Sequence, residues 1–483
     1  MTISIHNIDL NVLNMKTRMP FRYGIASLES VPHLFLRVMA DVSGKTATGV
    51  TAEGLPPKWF TKNPDTSFAE DLDEMLAVIR QAVTFAREAP AAANPFEFWH
   101  ELHLRQEAWA ADTSYPPLLW GFGVSMVERA LIDAFCRATG STFAQAVRDN
   151  SLGIRLGAMH GELAGCEPAA LLPERANRSM IIRHTVGLAD PLTDSDIPQE
   201  ERLSDGLPQS LEASVRFYGL THLKIKLSGD TSTDIERLQH IARIMEAHTP
   251  ADYAHTLDGN EFYTEVGPFQ HFWETIQAEP TLRSFLSRAL FVEQPFHRDM
   301  ALGRSVQSDL QRWHERPPLI IDESDGELNS LADALACGYA GGSHKNCKGV
   351  FRGIVNACLL ARYRQLDPTR AFILSSEDLC SVGPIAMIQD LTVAANVGIA
   401  HAERNGHHYF AGLSMYPQSV QAQVLARHGS FYRRHEEGYP ALDVRHGRVD
   451  VSSIVDAPFG YGFELDTTQF TPLEKWDAAS LED

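Results

Sequence analysis

Residues 221–230, THLKIKLSGD, set Lys224 and Lys226 on either side of Ile225 in a short apolar run. The run has strand length, and side chains two apart on a strand project to one face, so both ammonium groups enter the same space. The same theme, an apolar run closing on a polar or charged residue and leading into a helix-like stretch, recurs along the chain. It reads MIIRHTVGL at 180–188, YAHTLDGNE at 253–261, ALFVEQPF at 289–296, PLIIDESDG at 318–326, GSHKNCKGV at 342–350 and AFILSSEDL at 371–379. Strands alternating with helices predict βα units and a parallel sheet. Seven or eight such units predict closure into a barrel, where chemistry sits at the carboxyl ends of the strands. The charged residues fall at those ends.

Working outward, the opening residues alternate instead. Ile3, Ile5, Ile8, Leu10 and Val12, then Leu34, Leu36 and Val38, have the period of half-buried antiparallel strands. The segments RMPFRYGIAS (18–27) and TAEGLPPKWF (51–60) read as loops, because Pro, Gly and aromatics interrupt the pattern. From Ser125 the spacing turns helical, with Val127, Ala130, Leu131, Ala134, Phe135 and Ala138 on one face and Gly140 placed to end the helix. Stretches near 61–75, 89–118 and 160–212 resemble insertions, and 188–210 is expected to be loop between the first barrel strand and its helix.

With 483 residues and 44% hydrophobic content, the chain has room for two domains. The expected division is an α+β cap over 1–140, completed by about 420–483, and a β/α barrel over 141–419. Against 62 acidic residues stand 42 basic ones, a formal charge of −20, which disfavours polyanions such as nucleic acid and anionic membrane surfaces. No run of eighteen apolar residues and no secretory start are visible, so a cytoplasmic location is expected. Six cysteines without a CxxC pair argue against zinc ribbons and a disulfide scaffold.

Asp258, Glu293 and Asp322 each close an apolar strand, in LDGN, FVEQP and IIDES. One strand-end acid is as readily a solvated residue or a helix cap. Three on neighbouring strands would raise one another's pKa unless a cation neutralised them, and a hard divalent ion suits three carboxylates plus a bidentate substrate carboxylate. Mg2+ is the expected ion, with Mn2+ as the alternative. Lys224 and Lys226 would meet this metal, and a nearby dication and second ammonium lower a lysine toward neutrality, which makes it a base. Lys345 follows the last acid by one unit, with Lys348 a turn beyond. Glu377 or Asp378, at the end of the seventh run, could contact substrate or cap a helix. Arg22 and Tyr23 lie where a loop could close over a ligand. His344 is assigned to packing, and His184 stands as a minor candidate.

The ordered set KIK, DGN, VEQP, IDES and HKNCKG resembles the enolase superfamily, in its muconate-lactonizing-enzyme-like and mandelate racemase-like branch. The opening strands and the SMVERALIDAFCRATG helix are similar to that family's capping domain and barrel entry. The resemblance implies a modified (β/α)7β barrel with an α+β cap, and an enzyme that removes the α-proton of a small carboxylate through an enediolate. It implies Asp258, Glu293 and Asp322 as metal ligands, Lys226 as the base on one face and Lys345 on the other. Lys224 would contact the substrate carboxylate, with Asn260 and Glu323 as polar groups around the ligands. Gly349 is followed by Val350 where the family pattern has a second glycine, which leaves the register of Lys345 against Lys348 open. Racemisation or epimerisation, dehydration and cycloisomerisation all fit these groups. A homo-oligomer is expected. Two rival readings are a Schiff-base lysine lyase, which leaves the acids unexplained, and a metal-binding scaffold without turnover.

Overall fold

The alternating opening residues build a hairpin in the computed structural model, which describes residues 2–23, 26–249 and 252–481. β1 (Ile3–Tyr23) pairs antiparallel with β2 (Ala26–Val42), and β2 with β3 (Lys45–Gly54). A register shift between Ile5 and Asn7 moves the inward face from odd to even positions, so Ile3, Ile8 and Val12 are all buried. The segment expected as a loop at 18–27 is largely strand. Phe21 pairs with Leu28 and Arg22 with Ser27, after a second shift between Lys16 and Phe21 that accommodates Pro20. Proline has no N–H for the ladder and is tolerated where pairing is irregular. The hairpin tip at 24–25 lies outside the described residues. Likewise Thr51–Gly54 belong to β3, which the chain leaves at Leu55 before Pro57–Thr61 form the one-turn helix α1.

Three longer helices follow. α2 (Phe68–Glu88) starts on a capping box of Ser67 and Glu70, and α3 (Pro95–Ala110) on Asn94, so the stretches resembling insertions near 61–75 and 89–118 hold ordinary helix starts. α4 (Pro117–Thr139) begins earlier than Ser125 and ends, as expected, at Gly140 in the left-handed conformation (φ 69°). A Cβ at Gly123 would stand 2.3 Å from the Val78 carbonyl oxygen, so glycine is what lets α4 cross α2 at that distance.

The barrel strands are β4 (Ser179–Val186), β5 (His222–Lys226), β6 (Ala254–Asp258), β7 (Ala289–Glu293), β8 (Leu319–Ile321), β9 (Gly341–His344), β10 (Ile373–Ser376) and β11 (His401–Arg404). They run parallel in chain order, and β11 pairs with β4 to close the ring. The eighth strand, HAER, is absent from the expected runs. Residues 188–210 form the long connection anticipated, leading into the helix Leu211–Tyr218. The carboxyl-terminal part touches both sheets: Arg448–Asp450 pairs with β4, and Thr471–Pro472 with β1. None of the described helices is long and apolar enough to cross a membrane.

Cap and barrel are joined by buried or half-buried cations. Arg18 on β1 forms a two-point contact with Asp205 and donates to the carbonyls of Leu207, Pro208 and His408. Arg298 donates to the carbonyls of Trp59 and Phe60 while paired with Glu261, which also holds Lys62. These bonds fix α1 over the carboxyl ends of the barrel strands.

Candidate active site

Asp258 and Glu293 are the last residues of β6 and β7, and Asp322 follows β8, so three adjacent strands deliver three acids, each 1% exposed. Gln294 fixes the third, its side-chain oxygen accepting the Asp322 N–H at 2.7 Å. Lys224 and Lys226 enter from β5 on the same face. The Lys224 ammonium lies 3.1 Å from Asp258, 2.9 Å from Glu293, 2.9 Å from Glu377 and 3.0 Å from Glu403. Lys226 donates to Asp258 at 2.5 Å and to the side-chain oxygen of Asn260 at 2.9 Å.

Lys345 donates to Asp322 Oδ2 at 2.7 Å, and its ammonium stands 4.1 Å from the centre of the Trp59 ring. Lys348 instead turns to the Asp322 carbonyl (2.7 Å), Asp322 Oδ1 (2.8 Å) and Ser343 Oγ (2.8 Å). Of the two, Lys345 lines the cavity that also holds Lys224, Lys226, Asp322 and Glu323. In an eight-stranded ring, strands four apart are diametrically opposed. β5 and β9 are four apart, so Lys226 and Lys345 approach this cavity from opposite walls.

The other candidates separate. Glu377 lies deep in the barrel, paired with Arg183 and Lys224, and does not line the cavity. Asp378 lines it but is engaged by Arg404 and by the N–H groups of Ser381 and Asn405. Arg22 reaches the cavity; the side chain of Tyr23 lies outside the described residues. His344 is buried and bonded to Asn346, in keeping with packing. His184 faces away, with its Nδ1 3.2 Å from His407 Nε2.

The carboxylates in contact with the lysines set their electrostatics. Burial and the Lys224 ammonium act to lower Lys226, but the Asp258 carboxylate outweighs them and holds it above its ordinary value. Lys345 is likewise raised, burial being overcome by Asp322. Neither is lowered toward neutrality in this arrangement, because each ammonium has a carboxylate in contact. Among the acids, burial and then Glu377 push Glu293 well above the usual range, and burial and then Asp322 raise Glu323 to about 7.

Among the described residues, no three His, Cys, Asp or Glu side chains converge closely enough to hold a metal ion as they stand. Asp258 and Glu293 share the Lys224 ammonium, and Asp322 is held by Lys345 and Lys348. Their chemistry still fits a hard divalent cation. All three offer carboxylate oxygens, and Glu293 Oε2 is buried without a hydrogen-bond partner, an acceptor suited to an added positive charge.

Several residues of the site were not anticipated. Glu403 on β11 accepts from Lys224 and, at 2.6 Å, from Thr185 Oγ1. Arg183 crosses the barrel interior to Thr256 and Ser375. Trp59, Asn405 and Tyr409 line the cavity. A four-residue strand with charges at its end carries no periodic signal. For Trp59, the PPKWF segment read only as a loop.

Neither a known family model nor a curated protein matches this sequence. Solved structures do match in fold. A Bradyrhizobium protein described as an enolase, complexed with magnesium and mandelic acid, superposes with a TM-score of 0.58 at 14% identity, covering 97% of this chain and 99% of that one. A mandelate racemase/muconate lactonizing protein from Herpetosiphon aurantiacus gives 0.59 at 13% identity over 96% and 99%. The N-succinyl Arg/Lys racemase of Bacillus cereus gives 0.55 at 13% identity over 94% and 97%.

Proposed function

We propose that this chain, built on the fold shared with enolase-superfamily proteins, is a magnesium-dependent enzyme that removes the α-proton of a carboxylate substrate. One observation carries the reading: Lys226 and Lys345 approach a single cavity from opposed barrel walls, beside acids on three consecutive strands. Two nitrogen bases on opposite faces of one carbon are what proton removal and return require, in racemisation or epimerisation or in elimination. Asp258, Glu293 and Asp322 would hold the ion, which supplies positive charge beside the substrate carboxylate. In this reading residues 1–140 with about 420–483 form the cap, and 141–419 the barrel unit.

The chain's own groups do the rest. Lys226, released from Asp258 and present as the neutral amine, would take the proton at Nζ from one face, with Asn260 Oδ1 orienting that nitrogen. Lys345 holds a proton at Nζ on the other face, positioned by Asp322 and by the Trp59 ring. Lys224 keeps a fixed positive charge at the barrel centre, since burial is overcome by Glu293, Glu377, Glu403 and Asp258 and its pKa stays well above the lysine range. Trp59, clamped through Arg298, covers the site against water.

The test is α-proton exchange in deuterated water with Mg2+, followed by NMR over a broad set of carboxylates. Exchange that disappears on EDTA treatment and in Lys226→Ala supports the reading. Binding of Mg2+ without exchange from any carboxylate favours a scaffold without turnover. Covalent trapping of substrate by borohydride favours the Schiff-base route.

A further inference from the structure

Lys345 leaves β9 on a short turn, Asn346–Lys348, that runs directly into the helix Val350–Leu366. That helix has no cap of its own, because the residue before it is Gly349, with φ 114° and no side chain to offer. The first N–H groups of a helix have no partner within it and need acceptors from elsewhere. Here one comes from the cap. Glu128, midway along α4 and 1% exposed, accepts the Phe351 N–H on Oε1 at 2.6 Å, across 223 residues of sequence. A Cβ on Gly349 would stand 3.2 Å from the other oxygen, so the carboxyl also packs on the turn itself.

The carboxyl is costly to hold there. Burial pushes it up to about 7, against the pull of the Phe351 and Val350 N–H groups, and Oε2 has no hydrogen-bond partner. Lys348, Arg352 and His103 line a small cavity with it. An apolar side chain would avoid that cost but orphan the start of the helix, so what the carboxyl secures is the turn.

Backbone bonds tie this turn to the lysine. The Lys348 N–H donates to the Lys345 carbonyl at 2.9 Å, the Gly349 N–H to the Asn346 carbonyl at 3.0 Å, and the Asn346 N–H to Asp390 at 2.8 Å. Movement at 349–351 is therefore passed to Lys345, whose ammonium lies between Asp322 and the Trp59 ring.

We infer that Glu128 is a positioning residue: from the cap helix α4 it fixes the turn that presents Lys345 to the cavity. The role of Lys345 as a base rests on the α-proton reading, whereas its placement against Trp59 can be followed without turnover.

The full chain, labelled with 5-fluorotryptophan, is followed by 19F NMR with Mg2+ present. Trp59→Phe assigns the Trp59 signal, and Lys345→Met shows where it moves when the ammonium is gone. Glu128→Leu is expected to shift the signal toward the Lys345→Met position, while Glu128→Gln, which keeps an acceptor for the Phe351 N–H, leaves it in place. With carboxylates that exchange in the unaltered chain, Glu128→Leu should slow exchange about tenfold to a hundredfold for the enantiomer that Lys345→Met affects, and leave the other within about threefold. An unmoved Trp59 signal in folded Glu128→Leu, or slowing of an enantiomer that Lys345→Met spares, overturns the inference while sustaining the α-proton reading. A shifted signal with no exchange from any carboxylate sustains the positioning role while removing that reading. Should Glu128→Leu not fold, hydrogen exchange of the unaltered chain decides. The amides of Asn346, Gly349 and Phe351 are expected to open as one unit, and Phe351 opening alone overturns the inference.

Discussion

The Lys224 ammonium on the second barrel strand lies 3.0 Å from Glu403 Oε2 on the eighth, and the same nitrogen touches Asp258, Glu293 and Glu377. One buried cation thus touches four carboxylates contributed by four other strand ends, with Lys226 and Arg183 sharing Asp258 and Glu377. Removing one partner of a buried ion cluster leaves charge without compensation, which is more costly than losing the contact itself.

Lys224→Met is therefore expected to destabilise the fold by about 3–5 kcal/mol, read by urea denaturation at neutral pH. Added Mg2+ should raise the melting temperature more in this variant than in the unaltered chain, because the freed acids gain a replacement cation. An equal metal response in both proteins would show that Lys224 and the ion do not share these carboxylates.

The two lysines of the opposed walls should be separable by stereochemistry. Lys226→Ala and Lys345→Ala are each expected to reduce α-proton exchange by about 10²–10⁴-fold, one for each enantiomer of a chiral substrate. Isotope exchange on resolved enantiomers checks this. Equal loss with both enantiomers in both variants would place the lysines on one face.

Metal binding can be followed without turnover. Glu293→Gln keeps the shape of the side chain and removes its charge, so Mg2+ affinity by calorimetry should fall at least about tenfold. Asn260→Ala, which alters only the support of Lys226, should leave that affinity within about threefold while lowering exchange.

A pH effect follows from the histidines packed beside the barrel. Burial lowers His184 to about 4, and it holds His407 and His408 well below the ordinary histidine value. Above about pH 6.5 these groups are neutral in both folded and unfolded chains, so their stabilising share is fully present. Between 6.5 and 4 the unfolded chain binds protons that the folded chain excludes, and stability falls by up to about 1.4 kcal/mol per pH unit for each histidine. His407→Phe should flatten the acid limb of a melting-temperature profile and leave the plateau above pH 7 lower by about 1 kcal/mol, from the lost bond to His184.

The legible features of this chain are local ones. Lys224, Lys226, Asp258, Glu293 and Asp322 each stand in or beside a short apolar run whose length and alternation announce a strand end, and the barrel follows from their repetition. What the sequence did not announce depends on distant partners. Arg183 makes sense only with Glu377, 194 residues later, and Glu403 only once β11 closes on β4. The pairing of Asp258 and Glu293 through Lys224, and of Asp322 with Lys345 and Lys348, is decided by side-chain packing, which strand periodicity does not encode. The cap hairpin was misread at 18–23 because Pro20 breaks the alternation, while the pairing resumes beyond it through a shift of register.

Closure of the barrel by β11 and β4 also sets an order of assembly. During synthesis, β4 emerges from the ribosome long before the strand that completes its ring, and its other neighbour, Arg448–Asp450, comes later still. The first barrel strand must therefore wait with one edge unpaired, a template for misplaced strands until the late segments arrive. Pausing translation after residue 226, when β5 alone flanks it, should leave nascent chains dependent on a chaperone. Release of the whole chain, with Arg448–Asp450 and Thr471–Pro472 free to pair, should end that dependence.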